Sequence, residues 1–376
     1  MPGESPPHPA DSPRVVGVCH VCFAYDIGLS VDLDGAAARL RDVHERRQLP
    51  LQRRRGAPWL GYQPPPLRVT LRPDPISLGA HSTLAEVECT VFDFGGVSVR
   101  YRIPIDSPLD GLPALSDRLF DNQLLLDDSR QRVTELCGAI AGAVAQPAIS
   151  AVVEDYCVFA IERFEGVGSL DELLDRHGES IARVLRAETG SLSPQQVRES
   201  LDGRVTFSAE DAVLASWECA VVFDSDPDDV LTVLEHVNVE LAEMRLLDER
   251  LDEALEDAYR LMQSHSERSI WPRGPGGAGL RRIAASQVDA AMLFESVNNA
   301  IKLVGDQHLA RVYALAASRV HLAQWDATIL RKLSTAESIY QKLSQFETGR
   351  RMEVLEIVIV ILIALSIVLM FVPGGK

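Results

Sequence analysis

Lysine is nearly absent from this 376-residue chain: Lys302, Lys332, Lys342 and Lys376 are the only ones, so its 37 basic residues are almost all arginine. Positive charge is scarce overall. Against those 37 stand 54 carboxylates, giving a formal net charge of -17, which repels polyanions and argues against a general nucleic-acid binder. Catalytic signatures are missing as well. There is no Walker loop, no dinucleotide fingerprint and no serine elbow, and His177, His236, His265, His308 and His321 fall at no metal-binding spacing. We therefore expect no catalytic residue, no cofactor and no metal, and read the chain as non-enzymatic. The opening "MPGESPPHPADSPR" has neither the apolar core of a secretory signal nor the arginine-rich amphipathic character of a transit peptide, and its Pro and Ser content predicts a disordered lead over 1–13.

The six cysteines (Cys19, Cys22, Cys89, Cys137, Cys157 and Cys219) are scattered through apolar segments and read as reduced, buried small hydrophobes. Cys19 and Cys22 have the spacing of half a zinc site, but "VVGVCHVCFAY" is a strand pattern that turns them to opposite faces, and no second Cys/His pair follows. "DLDG" (32–35) and "SDPDDV" (225–230) lack the full calcium-loop pattern; aspartates there suit helix N-termini, where a carboxylate opposes the dipole.

What is present falls into parts. Residues 14–226 alternate short apolar strands with helices and predict an α+β (mixed α/β) domain with a largely antiparallel sheet. Gly95-Gly96, between "AEVECTVFDFG" and "GVSVRYRIPI", marks a hairpin, and Ser193-Pro194 is a cap followed by a first-turn proline. From 227 to 349 the pattern is that of a long antiparallel helical hairpin, coiled-coil-like, broken by "WPRGPGGAG" at 271–279. Its first arm carries a three-four spaced seam that includes Leu234, Leu241, Met244 and Leu251; its second carries Phe294, Ile301, Leu322 and Trp325. His308 and Arg311 interrupt the second seam and would set its register as a buried polar pair.

The last residues read as a membrane anchor. From Val354 to Val372 the chain is apolar apart from Glu356 and Ser366, and nineteen helical residues span roughly 28 Å, close to the hydrocarbon thickness of a bilayer. Ile357, Ile361, Leu365 and Leu369 lie along this segment, 350–372, and 373–376 would form a short external tail. Arg350 and Arg351 on its N-terminal side predict a single-pass protein with the N-terminal domain in the cytoplasm, at a bacterial inner membrane. Lipid bilayer and a second copy, or a helical protein partner, are then the expected partners.

"VFDFGGVSV", "VEDYCVFAIERFEG", "ASWECAVVFDSDPDDVLTVLEHVNVELAEMRLLDERLDEALEDAY" and "YQKLSQFETGRRMEVLEIVIVILIAL" follow one another in that order. This order resembles the family of membrane-anchored proteins required for meiotic nuclear division and sporulation in fungi, which has mitochondrial and bacterial relatives; the likeness is best over 205–372 and weaker over 86–165. The resemblance implies an α/β domain, a helical hairpin, a C-terminal span, self-association and a link to translation, with the ribosome or RNA as partner. It implies no catalytic residue.

One polar cluster stands apart. Arg46, Arg47, Arg53, Arg54 and Arg55, followed by Trp59 and Tyr62, form a basic patch that suits an anionic ligand, RNA or lipid headgroups, or else pairs with the chain's own acidic helices. The leading expectation is thus a membrane-anchored scaffold or tether working through its hairpin. The alternative is a nucleotide-sensing or RNA-binding α/β module, or an unrecognised enzyme, with sheet ends near Asp26, Asp93 and Asp224 lining a pocket with the arginine patch.

Overall fold

A computed structural model describes residues 12–40, 64–266 and 307–342, with a few further positions at 288–295, 345 and 359–360. The chain forms two compact units, one of 1–246 with 293–326, the other of 247–292 with 327–376.

The first unit is a mixed α/β structure built on a seven-stranded sheet. Its strands are β1 (Arg14–Asp26), β3 (Leu67–Leu71), β6 (Val87–Val91), β7 (Gly96–Pro108), β9 (Glu154–Glu165), β10 (Ala212–Ala215) and β11 (Cys219–Phe223), in the order β10-β11-β9-β1-β7-β6-β3. Two small ladders stand beside it, β2 (Ser30–Val31) with β8 (Val144–Ala145), and β4 (Ser77–Leu78) with β5 (His81–Ser82). Every neighbouring pair in the large sheet is antiparallel except β9 and β11, which run parallel. The hairpin expected at Gly95-Gly96 joins β6 to β7, with Gly95 at φ 108, a left-handed turn that glycine adopts without steric cost.

β1 is the centre of this sheet. It is rich in β-branched and aromatic residues, which suit a pleated strand packed on both sides. Val15, Cys19, Val21, Phe23 and Tyr25 point into the main core, while His20, Cys22 and Ala24 alternate onto the other face. Cys19 and Cys22 therefore lie on opposite sides of one strand. At Gly17 the register with β9 shifts, and a Cβ there would stand 2.0 Å from the Ala160 carbonyl oxygen.

The core face is covered by α2 (Leu112–Leu119), α3 (Gln123–Ile140) and α4 (Leu170–Leu185). Tyr25 and Tyr101 reach up from the sheet to α3, with hydroxyl distances of 2.6 Å to Ser129 and 2.6 Å to Asp128. Asp32 caps the short α1 (Leu33–Arg39) by accepting from the Gly35 amide, and Ser193 with Gln196 closes a capping box on α5 (Pro194–Leu201). The "DLDG" aspartate is thus a helix cap.

The opposite face is covered by the first half of α6 (Asp228–Ser266), which begins with Asp228 and Asp229 in its first turn, and by the helix Gln307–Arg319, which packs on β10. Leu234, Leu241 and Met244 are buried here, but so is every residue from 233 to 244, including Glu235, His236, Asn238, Glu240 and Glu243. The seam read as one arm of a coiled hairpin is, over this stretch, a helix buried on all sides within the α/β unit. Apolar spacing marks which face is buried; it does not say what covers it. Leu322 is buried and Trp325 and Phe294 are half-buried, whereas Ile301 and the break at 271–279 lie outside the described residues. Arg311 is exposed and donates to the Thr206 carbonyl at 3.4 Å, so it forms no buried pair with His308, whose ring meets Phe207 edge-on at 5.5 Å.

In the second unit Leu247, Leu251 and Ala258 of α6 are buried, as are Ile329, Ala336 and Ile339 of the helical stretch 322–342. Lys332 bridges Asp248 and Asp252, at 2.6 Å to each. Asp248 falls in step with the apolar spacing of Leu241, Met244 and Leu251, and this lysine accounts for a carboxylate there.

The C-terminal anchor is corrected. No helix among the described residues is long and apolar enough to cross a membrane. α6 has the length, at 39 residues, but eleven of them are Asp or Glu. Of the run 350–372 only Ile359 and Val360 are described; Ile357, Ile361, Leu365 and Leu369 lie outside. The single-pass topology, the inner-membrane location and the membrane-anchored class rested on that segment, and they are withdrawn with it.

Candidate functional site

Two features of the α/β unit concentrate chemistry, one closed and one open. The closed one lies between the sheet and α6. Strand alternation brings Arg68, Glu88, Arg100 and Arg102 onto the face that α6 covers, and α6 adds Glu235. Glu88 pairs with Arg68 at 3.1 Å and with Arg100 at 2.7 Å; Arg100 also reaches Glu235 at 3.6 Å, and Thr90 donates to Glu235 at 3.4 Å. Burial pushes Glu88 up, but Arg100 and Arg68 outweigh it and hold the carboxyl below its usual range. His20 sits beside this array, opposite Arg102 in the β1–β7 register. Burial first, then Arg100 and Arg102, lower its imidazole to about 3, so it is neutral. Arg100 and Glu235 are buried, Arg68 and Glu88 are about three-quarters covered, and these four are matched by one another, which is the arrangement of a structural polar core.

The open feature is a cleft of about 570 Å³ at the end of the sheet where β9 and β11 begin. Phe23 and Val153 form part of its floor, and its walls come from Phe120–Gln123, Glu154, Asp155, Trp217, Glu218, Asn238, Leu241 and Arg245. Three local structures set the walls. Asn122 caps α3 by accepting from the Leu125 amide, and the preceding Asp121 takes a left-handed φ of 48. The turn between β10 and β11 is fixed by the Tyr156 hydroxyl donating to Ser216 at 3.1 Å and the Cys157 amide donating to Glu218 at 3.1 Å, which presents Trp217 outward. Asn238 of α6 donates to the Glu154 carbonyl at 3.2 Å and ties α6 to the start of β9.

Four carboxylates face this cleft, from Asp121, Glu154, Asp155 and Glu218. Glu154 is buried and paired with Arg245. Desolvation outweighs that arginine and brings Glu154 to about 7. Desolvation, followed by the charge of Asp121, raises Asp155; desolvation, followed by Asp155, raises Glu218. Phe120 is 47% exposed and Trp217 is 49% exposed among the residues that line the cleft. Such side chains normally turn inward, so two aromatic rings exposed at one cleft mark a contact surface.

A second open cleft, of about 750 Å³, lies at the far end of β9 and β11 near Phe207 and Asp224. Its loop carboxylate, Asp211, accepts from the amides of Phe207 and Ser208 and from the Ser208 hydroxyl, and so serves the loop's own fold.

Asp26 and Asp93 lie at the end of the sheet where β9 begins, and Asp224 lies at the other end, so these three do not share a pocket. Arg46, Arg47, Arg53, Arg54 and Arg55 lie outside the described residues. No group of three potential metal-ligating side chains occurs among the described residues. The residues of the 570 Å³ cleft carried no sequence signal as a set. Only the positions of "DN" at 121–122 as a turn and cap, and of tryptophan in the β10–β11 turn, could have hinted at it.

The architecture defines a mixed α/β domain with a cluster of ion pairs beneath α6 and an acidic, aromatic-rimmed cleft at one end of its sheet. Residues 16–229, more than half of the chain, match the family described as "Uncharacterized protein MJ0711, N-terminal domain", and the chain belongs to that family. The Methanocaldococcus jannaschii protein described as "Uncharacterized protein MJ0711" is 21% identical over 223 residues, covering 58% of this chain and 66% of that one, just under two thirds of the relative's length. No solved structure matches the chain. The resemblance to the meiotic and sporulation family is corrected by this match. It leaned on long acidic helices and an apolar tail, patterns that any charged helix pair followed by an apolar run reproduces.

Proposed function

We propose that the chain is a non-enzymatic scaffold that binds a protein partner, a second copy or another helical protein, with the 570 Å³ cleft as the contact surface of its α/β unit. The observation that carries this reading is the exposure of Phe120 and Trp217 together at an open cleft. Aromatic residues are enriched at the energetic centres of protein interfaces and cost little conformational entropy to order. A catalytic reading would need a nucleophile or general base set against a partner group. Glu154, the cleft carboxylate nearest neutrality, is instead clamped by Arg245. The excess of carboxylates also speaks against nucleotides and RNA as ligands of this cleft.

The test is association of the full chain, followed by light scattering and by crosslinking in extracts of its own cells, with a Phe120→Ala/Trp217→Ala variant alongside. We expect a specific complex that the double variant loses while keeping its circular dichroism. A chain that stays monomeric and crosslinks to nothing that depends on these two residues ends this reading. A thermal-shift screen against nucleotides serves as the counter-test, and stabilisation by ATP or GTP would favour the nucleotide-sensing alternative.

A further inference from the structure

The scaffold reading leaves the chemistry of the partner open, and the cleft itself narrows it. We infer that the cleft receives an arginine side chain from an extended segment of a partner protein, the aromatic rim stacking on the guanidinium and the carboxylates pairing with it. This rests on the scaffold reading and goes further than it.

Charge complementarity sets the sign of the occupant. Asp121, Asp155 and Glu218 face the cleft with a single cation, Arg245, among its lining residues. The raised carboxyls of Asp155 and Glu218 have a direct meaning. Burial is the first cause for both; the charge of Asp121 then raises Asp155 and that of Asp155 raises Glu218, a repulsion that an incoming cation would relieve. A neutral or anionic segment would leave that repulsion in place.

The fold already contains an example of the contact. Arg245 reaches into the same cleft from α6 and pairs its guanidinium with the buried Glu154. The space is thus wide and flat enough for a planar, forked cation, and Asp155 and Glu218 lie along the same wall with no arginine of their own within ion-pair distance among the described residues. Phe120 and Trp217 expose ring surface at the mouth. Guanidinium stacks on aromatic faces while its edge donates to carboxylates, a combination that a compact, strongly hydrated ammonium performs less well. The cleft's 570 Å³ accommodates one such side chain with part of its backbone and no globular surface.

The test uses the full chain and three synthetic octapeptides, (Gly-Arg)4, (Gly-Lys)4 and (Gly-Glu)4, titrated by calorimetry at low and at raised salt. (Gly-Arg)4 should bind in a salt-sensitive manner, more tightly than (Gly-Lys)4, and (Gly-Glu)4 should not bind. Asp155→Asn/Glu218→Gln and, separately, Trp217→Ala should each weaken (Gly-Arg)4 by about tenfold, with circular dichroism unchanged. Glu162→Gln/Glu165→Gln, which removes two exposed charges at the far end of β9, should leave it unaltered. Equal loss in that control would reduce the binding to net charge and overturn the assignment, as would (Gly-Arg)4 binding that ignores the cleft variants. If no peptide binds while Phe120→Ala/Trp217→Ala still abolishes the complex of the full chain, the scaffold reading stands and the arginine assignment falls.

Discussion

Glu240 is 1% exposed, yet it is a glutamate, and the Tyr313 hydroxyl donates to its carboxylate at 3.0 Å. Burial is the larger effect and pushes the carboxyl up to about 8, against the tyrosine bond and with help from Asp326. In the unfolded chain the same group titrates near about 4.3. Between those values the unfolded state gives up its proton while the folded state keeps it, so stability falls as pH rises from about 4.3 to about 8. Glu240→Gln keeps the shape and removes the titration. We expect its urea midpoint to change less between about pH 5 and about pH 8 than that of the unsubstituted chain, by an amount on the order of a few kcal/mol in stability. Parallel curves for the two proteins would show that Glu240 is ionised in the fold. No sequence pattern flags this residue, because glutamate on a long helix ordinarily faces water; only the helix Gln307–Arg319 closing over it makes it a buried acid.

At the scale of elements, β1 shows what period-two alternation can and cannot convey. Its inward set, Val15 to Tyr25, is legible as a core strand, and the Gly95-Gly96 hairpin and the Ser193 cap are equally local and equally legible. The other face of the same sheet is not. Ser98, Arg100 and Arg102 alternate as a solvent-facing strand would, and only the acidic residues of α6, more than a hundred positions away, turn that face into an interior. For the same reason the cleft was invisible in sequence while the arginine cluster at 46–55 drew attention. A prediction for β1 follows from its bulge. A methyl at position 17 would stand 2.0 Å from the Ala160 carbonyl oxygen, so Gly17→Ala should push β1 off β9 and cost about 1–3 kcal/mol, read from a lowered denaturation midpoint. An unchanged midpoint would mean that β9 yields there without loss.

At the scale of the whole chain, a formal charge of -17 puts like charges against one another across the surface. The ion pairs that stabilise the α/β unit from within, those of Arg100 above all, are shielded from added salt, whereas exposed carboxylates are not. Raising sodium chloride from about 0.05 M to about 0.5 M shortens the screening length from more than ~10 Å to about 4 Å, and should raise the melting temperature. A fall would mean that exposed ion pairs such as Arg14–Asp106 contribute more than the repulsion they offset.

The cleft is assembled from five separated stretches of chain, at Phe23, Phe120–Gln123 with Leu126, Val153–Asp155, Trp217–Glu218, and Asn238 with Leu241 and Arg245. The parallel docking of β11 on β9 and the return of α6 across the sheet are both long-range closures. Such closures are slow, because the entropy of looping the chain is lost before the contacts that reward it form. A chain still emerging from synthesis has the hairpin of β6 and β7 well before it has any of the cleft's far wall. The binding surface therefore comes into being late in folding, and a partner that seats there meets only molecules that have finished.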